Sequence, residues 1–371
     1  MPTPPHTSSR HTRHEPDRSR QAWAGSLSIP VAQRPARYAD FSPTELAVVC
    51  SNYDLGVIQS IKPVRAGSHT SPKVVIKTRS GAYLLKRRSP GHDDPFRVAA
   101  SHAVQIHLAS RGFPAPRIIG TRRENNSMLQ LRGRIYEMFE FVTGRRPDGS
   151  SADADACGRT LADFHRHTNV LDTRWEPPEG AYHNAVGIEE HAQAAIRATP
   201  SDAHESIDRL TRLFQEARSQ TDRLGLARAR PVLIHADWHP GNILLEDHRV
   251  RAVTDFDSVR LAPRVVDLAN GLLQFSIDAG AHSPADWPAP PDLDRYRAFL
   301  GGYHRPGDEP VDRAESALIP PLMIQALVAE TLLPIARTGR FGPLGPVAFL
   351  QAIAVKALWL SENAEALTSG R

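Results

Sequence analysis

The first sustained pattern of apolar and polar positions begins near residue 42. Apolar residues recur at helical spacing through "SPTELAVVCSNYDLG", where Ser42 supplies a cap, Pro43 suits the first turn and Gly56 stops the run. Three short strand-like runs follow, "VIQSIKPVRAG", "PKVVIKTRSG" and "AYLLKRR". Ser80-Gly81, between the last two, is a hairpin signal. "DDPFRVAASHAVQIHLASRG" returns to helical spacing, starting near Pro95 and ending at Gly112. "FPAPRIIGTRRENNSMLQLRGRIYEMFEFV" alternates on both sides of Asn125-Asn126 and predicts further antiparallel strands.

From Gly144 the texture changes. "DADACGRTLADFHRHT" carries Leu161, Phe164 and His165 at helical spacing, and "ESIDRLTRLFQEARSQTDRL" is a second amphipathic helix. "ESALIPPLMIQALVAETLLPIA" and "GPVAFLQAIAVKALWLSENAEAL" are helical and strongly apolar. The pattern therefore predicts an α+β protein in two lobes. Residues 38–143 form a small antiparallel β lobe with one inserted helix, and residues 144–371 a larger, mainly α lobe. They are joined at the hinge-like "FEFVTGRRPDG".

Composition narrows this picture. A chain of 371 residues with 40% hydrophobic and 23% charged residues is long enough for two lobes around large cores. The net charge of +4 is carried entirely by residues 1–37, where six arginines face only Glu15 and Asp17. The body is thus neutral and gives no reason to expect a nucleic-acid partner. That tail has little to bury and is expected to be disordered. Cys50 and Cys157 lie far apart and read as packing residues in a reducing cytosol. No signal-peptide core precedes the body, and the late run "GPVAFLQAIAVKALWL" is broken by Lys356. A cytoplasmic protein without a membrane partner is expected.

The chemistry gathers in "LIHADWHPGNILL", Leu233 to Leu245, followed by a hairpin of "ILLED" and "VRAVTD". Asp237 sits in a loop, Asn242 follows five residues later, and Asp255 comes just after the hairpin. Phosphoryl transfer needs these groups: one carboxylate to take the proton of an attacking hydroxyl, and an amide and a second carboxylate as hard oxygens for Mg²⁺. Pro240-Gly241 turns the chain so that Asp237 and Asn242 can face one cleft.

"HADWHPGN" followed by "DFD" resembles the aminoglycoside phosphotransferase and choline kinase group of the protein-kinase-like fold. "AYLLKRR", "LASRGFPAPRIIGT", "LADFHRHT" and "DSVRLAPRVVDLANGL" resemble further pieces of that family in order, so the likeness covers roughly residues 50–280. The wording of "LKRR" and "DFDSVRLAPRVVDLA" is also similar to the homoserine-kinase-like and spore-coat branches. The resemblance implies an ATP- and Mg²⁺-dependent phosphotransferase acting on a hydroxyl of a small molecule: an amino alcohol, a homoserine-like metabolite, a sugar or an aminoglycoside. It assigns Asp237 to catalysis, Asn242 and Asp255 to Mg²⁺, and Lys86 to the α/β phosphates. Backbone groups from Glu140 to Val142 are assigned to adenine, because a strand entering a hinge exposes its N–H and C=O. His235 and His239 read as structural histidines, with His235 holding the catalytic loop by hydrogen bonds. Asp257 and Asp267 read as fixing backbone and loop.

Two departures stand out. The glutamate that usually pairs with the strand lysine falls near Ser101, on a helix with no acid between Pro95 and Ser110, leaving His102 or Gln105 as substitutes. No glycine-rich loop is present, so Val64 to Thr70 must cover the phosphates. Two other readings stay open. His235-x-Asp237-x-His239 also fits a metal-dependent hydrolase, and the absent helix glutamate fits a kinase-fold binding protein without turnover.

Overall fold

The computed structural model describes residues 39–65, 70–185, 187–278, 283–304 and 309–368. The arginine-rich tail and most of the Val64–Thr70 segment lie outside the described residues. The chain opens with α1 (Pro43–Cys50), β1 (Ile58–Val64), β2 (Lys73–Thr78), β3 (Ala82–Arg87), α2 (Pro95–Ser110), β4 (Leu129–Leu131) and β5 (Arg134–Glu140). Ser42 caps α1 in a reciprocal box with Glu45. The Glu45 carboxylate then ties the helix to the sheet through Arg87 (2.6 Å) and the Tyr136 hydroxyl (2.7 Å). The helix ends at Cys50, well before Gly56.

The strands form one antiparallel sheet in the order β1-β2-β3-β5-β4. Ser80-Gly81 makes the expected hairpin, closed by Thr78 N–H to Gly81 O at 2.9 Å. The second predicted hairpin is displaced. The turn between β4 and β5 lies at Arg132-Gly133, both at positive φ, rather than at Asn125-Asn126. Residues 117–119 meet β5 only through an isolated bridge at Ile118, because Pro114 and Pro116 lack the N–H that a longer ladder needs.

Beneath the sheet lies an apolar core of Val49, Tyr53, Leu55, Ile76, Leu85 and Met138. On the opposite face of the sheet, toward α2, Glu137 of β5 has no exposed surface. Arg88 grips this carboxylate with Nε at 2.9 Å and Nη2 at 2.8 Å, and His102 of α2 adds Nε2 at 2.7 Å. Burial would raise the Glu137 pKa, but Arg88, His102 and Lys86 outweigh it and hold the carboxyl at about 2.

The second lobe contains α3 (Ser151–Thr168), α4 (Ile188–Ala198), α5 (His204–Arg223), β6 (Pro231–Ile234), β7 (Ile243–Glu246), β8 (Arg249–Val253), β9 (Arg260–Pro263), α6 (Arg264–Ser276), α7 (Leu293–Tyr303), α8 (Arg313–Thr338), α9 (Pro346–Glu362) and α10 (Ala364–Thr368). β6 pairs with β9, and β7 with β8. α8 packs against α4, α5, α6 and α9. It is long and apolar enough to cross a membrane, which the sequence reading overlooked. Yet 94% of its apolar window is buried inside the fold, as in a core helix. The connector between the lobes lies against the β7–β8 hairpin through paired bonds between Arg145 and Leu245 (2.9 and 2.8 Å). Arg145 also grips the buried Asp153 of α3 with both terminal nitrogens, at 2.5 and 2.8 Å.

α3 and α7 cross at two glycines. A Cβ on Gly158 would lie 2.0 Å from Phe299 O, and one on Gly302 would lie 2.1 Å from Asp155 O. This close approach brings His165 of α3 to the Tyr303 hydroxyl of α7 at 2.8 Å. Gly158→Ala and Gly302→Ala should each destabilise the protein by about 1–3 kcal/mol through overpacking, measured by urea unfolding. Glu137 makes a pH-dependent prediction. Its depressed pKa stabilises the fold fully above its ordinary value of 4.5, and that stability is lost as pH falls toward about 2. Glu137→Gln should cost about 3 kcal/mol at neutral pH and show a shallower loss than wild type across that acidic window.

Candidate active site

The catalytic segment begins where β6 ends. The backbone N–H groups of His235 and Ala236 donate to the two oxygens of Asp267 on α6, at 2.8 and 2.9 Å. Asp267 is fully buried and also meets His165 Nε2 at 3.2 Å. Ala236 is held at φ +61°, a conformation that disfavours a side chain. The sharp turn it makes is stabilised by the Asp267 carboxylate on both sides. Asp267 thus fixes backbone, as its sequence context implied.

His235 is structural, but not by side-chain hydrogen bonding. Its ring is fully buried, and neither nitrogen has a hydrogen-bond partner among the described residues. It is caged instead by Phe256, Trp238 and Phe164, with ring centroids at 5.2, 5.4 and 5.9 Å. Burial lowers its pKa, so the ring is neutral at physiological pH.

Asp237 projects beyond this anchor. The Asn242 amide donates to Asp237 O at 3.0 Å and to Asp237 Oδ2 at 2.9 Å. His239 Nδ1 accepts from Gly241 N–H at 3.0 Å, so its ring proton sits on Nε2, which lies 3.6 Å from Asp237 Oδ1. Burial alone would raise the Asp237 pKa, but His239 and the Asn242 bond reverse this, and the carboxyl lies below its ordinary value. Asp237 is therefore an ionised acceptor at neutral pH, fixed in orientation by two neighbours.

The β7–β8 hairpin carries Asn242 at one end and Asp255 at the other. Ile243 pairs with Val253, and Thr254 donates both its N–H (2.9 Å) and its hydroxyl (3.0 Å) to Asn242 O. Asp255 adopts φ +64°, turning the chain sharply into "DFD". Its carboxylate is 37% exposed. The Asn242 amide nitrogen is committed to Asp237, which leaves the carbonyl oxygen for a cation. One carboxylate and one amide oxygen suit Mg²⁺, which commonly completes its shell with water and phosphate oxygens. Among the described residues no three His, Cys, Asp or Glu side chains converge to hold a metal unaided. The ring of His235 is enclosed in its aromatic cage, so the His235–His239 pair cannot act as the chelate of a hydrolase.

Lys86 of β3 reaches this turn from the other lobe. Its Nζ lies 2.6 Å from Asp257 Oδ2 and 3.4 Å from Asp255 Oδ1. Burial works against its charge, but Asp255, Asp257 and Glu137 outweigh it and raise the pKa above the ordinary value. Asp257 also receives Arg88 Nη2 at 2.6 Å, so it bridges the lobes rather than fixing the backbone of its own loop. Lys86 and Arg88 lie two residues apart on one face of the chain, and Lys86 stands opposite Glu137 in the β3–β5 register. With no helix glutamate, Lys86 is held instead by Asp257 and Asp255, while Glu137 of β5 pairs with Arg88 and acts on Lys86 through its charge alone. His102 contributes by holding Glu137, whereas Gln105 bonds Pro116 O and takes no part. The signal available in the sequence was a lone acid within the apolar strand "IYEMF".

At the interlobe connector, the backbone predicted to meet adenine is partly committed. Glu140 N–H donates to Arg117 O (2.8 Å) and Phe141 N–H to Ala82 O (2.9 Å). Val142 N–H makes no backbone bond among the described residues. The Glu140 carboxylate faces Arg117 at 2.9 Å.

Known proteins share both the sequence pattern and the fold. A sequence model of the phosphotransferase enzyme family matches residues 60–313. The homoserine kinase of Methylocella silvestris is 27% identical over 298 residues, covering 77% of this chain and 83% of that protein. A microcompartment-associated aminopropanol kinase superimposes with a TM-score of 0.64 at 16% identity, covering 88% of this chain and 99% of that one. An amicoumacin kinase in complex with AMP-PNP, Ca²⁺ and Ami superimposes with a TM-score of 0.62 at 15% identity, covering 88% of this chain and 94% of that one. The fold is the bilobal kinase-like α+β fold, and the chain belongs to the phosphotransferase enzyme family as a small-molecule kinase.

Proposed function

We propose that the chain transfers the γ-phosphoryl group of ATP to a hydroxyl of a small polar molecule, with Asp237 as the group that orients and deprotonates that hydroxyl. The observation that carries this reading is the joint placement of Asp237, Asn242 and Asp255. One carboxylate is fixed and ionised, and an amide and a second carboxylate stand at the two ends of the adjoining hairpin. Lys86 binds the α/β phosphates from β3, steadied by Asp257. The backbone at Glu140 C=O and Val142 N–H receives adenine. Bound Mg²⁺ would neutralise phosphate charge at Asn242 and Asp255.

Asp237 takes the hydroxyl proton as the oxygen attacks phosphorus, and the ADP oxygen departs with the electron pair of the broken P–O bond. The Asn242 amide holds the base in line, and His239 Nε2–H keeps its charge available at neutral pH. The setting for this chemistry is the cytoplasm, where ATP is present.

Two measurements test the assignment. Asp237→Asn should lower kcat about 10²–10⁴-fold while leaving ATP binding and melting temperature unchanged, because it removes the proton acceptor and keeps the shape. Near-wild-type turnover in this variant would refute the role of Asp237. Calorimetric titration of ATP with and without Mg²⁺ tests the second carboxylate. ATP and Mg²⁺ should strengthen each other's binding by the same factor. Asp255→Ala should abolish most of that coupling, whereas Lys86→Ala should weaken ATP binding with or without the metal. Full coupling in Asp255→Ala would remove Asp255 from the metal site.

A further inference from the structure

One cation beside Asp237 has no part in the phosphoryl-transfer geometry. Arg260 opens β9 and stands opposite Ile234, three positions before Asp237. Its side chain is half-buried and fixed by backbone oxygens alone: Nε donates to Ser258 O at 2.9 Å, and Nη1 to Gly180 O at 3.3 Å. No carboxylate among the described residues forms an ion pair with it. Burial and the nearby charge of Arg97 pull its pKa down to about 10, against the opposing charge of Asp237. Arg260 thus opens the strand paired with β6, which leads into the Asp237 turn, and it is held by the Gly180 loop rather than by the β7–β8 hairpin that carries Asn242 and Asp255.

The wall behind Arg260 is built rather than loose. Gly180 N–H donates to Leu261 O at 2.8 Å, and Leu261 N–H to Pro178 O at 2.8 Å, which lays this loop along β9. Gly180 itself sits at φ +77°, with no room for a Cβ beside Asn184. The Tyr182 hydroxyl is bonded to Val266 O at 2.7 Å. His183 on the same loop is mostly enclosed; burial, Arg260 and Arg218 hold its pKa at about 4, so its ring is neutral. Its Nδ1 is buried without a hydrogen-bond partner among the described residues.

A guanidinium held half-buried near a second arginine calls for an anion. Asp237, just beyond the paired strand β6, is needed for the acceptor hydroxyl. We propose that Arg260, with Arg97 and His183 around it, is a carboxylate subsite for the acceptor. The acceptor is then a hydroxy acid, most simply a hydroxy amino acid, and not a plain amino alcohol. This rests on the phosphotransferase reading of Asp237, and it separates two chemistries represented among the similar proteins, since homoserine carries a carboxylate that aminopropanol lacks.

The test uses the full-length protein with ATP, Mg²⁺ and matched acceptors: L-homoserine, L-threonine and L-serine, each beside its decarboxylated amino alcohol. Phosphoryl transfer and calorimetric binding to the protein loaded with AMP-PNP are both measured. At least one acid should exceed its partner about 10²-fold in kcat/KM or affinity. Arg260→Ala should erase that preference with ATP KM unchanged, and Arg97→Ala should reduce it. Arg260→Lys should restore part of it. Preference for the amino alcohols overturns the subsite, as does failure of every acid to bind. A rise in ATP KM on Arg260→Ala with both partners affected alike also overturns it, by assigning Arg260 to nucleotide phosphate. ATP hydrolysis without acceptor, lost in Asp237→Asn, reports separately on the phosphotransfer machinery.

Discussion

The arrangement of both lobes around the site depends on a chain of polar contacts running from the buried His102, Glu137, Arg88 and Lys86 to the partly exposed Asp257 of the "DFD" turn. His102 holds Glu137, Glu137 holds Arg88, Arg88 holds Asp257, and Asp257 holds Lys86. Removing such groups from water costs several kcal/mol per ion, and only a fully paired network offsets that cost. Each member here has a partner at 2.6–2.9 Å. The network is therefore specific in a way that apolar packing is not. Shifting β3 against β5, or the turn against the sheet, would leave a buried charge unpaired. The geometry that places Lys86 over the cleft follows from that penalty.

A second constraint acts on the other side of the cleft. Asp267 accepts two consecutive backbone N–H groups and a histidine, and the turn at Ala236 is thereby over-determined. The aromatic cage of His235 fills the space behind the turn without competing for its hydrogen bonds. The catalytic loop is consequently rigid at its base and polar at its tip. Asp237 can keep a low pKa despite burial because its neighbours, rather than water, supply the compensating interactions. The close crossing of α3 and α7 supports this, since His165 reaches Asp267 with its second nitrogen held by Tyr303.

The parts of the site that were legible in the sequence are local. Asp237, Asn242 and Asp255 lie within one loop and one hairpin, where spacing and turn residues determine what meets. The helices with clear periodicity, α2, α3, α5 and α9, were legible for the same reason. Glu137 was not, because its role comes from strand register with Lys86 and from α2 packing over β5, and neither is written in a local pattern. The β4–β5 turn was misplaced because Arg132-Gly133 and Asn125-Asn126 both contain residues that tolerate positive φ, and pairing decided between them. The hydrogen bonds expected of His235 are replaced by a cage that the local sequence does not show, since Phe164, Trp238 and Phe256 come from three separate segments. Arg260 gave no signal beyond being an arginine on a short strand.

The proposed nucleotide role of Lys86 is compatible with its two ion pairs. Its bond to Asp257 is short, and that to Asp255 is longer at 3.4 Å. Asp257 is shared with Arg88, which is itself held by Glu137. Its carboxylate remains compensated if Lys86 leans toward phosphate. Asp255 is the more exposed of the two carboxylates and the one proposed to hold Mg²⁺ with Asn242. Drawing Asp255 toward a metal loosens only the weaker Lys86 contact. The lysine thus keeps one fixed partner and releases one exchangeable partner. That division lets a cleft rich in opposite charges stay ordered when empty and still accept the highly charged ATP without first breaking its strongest contacts.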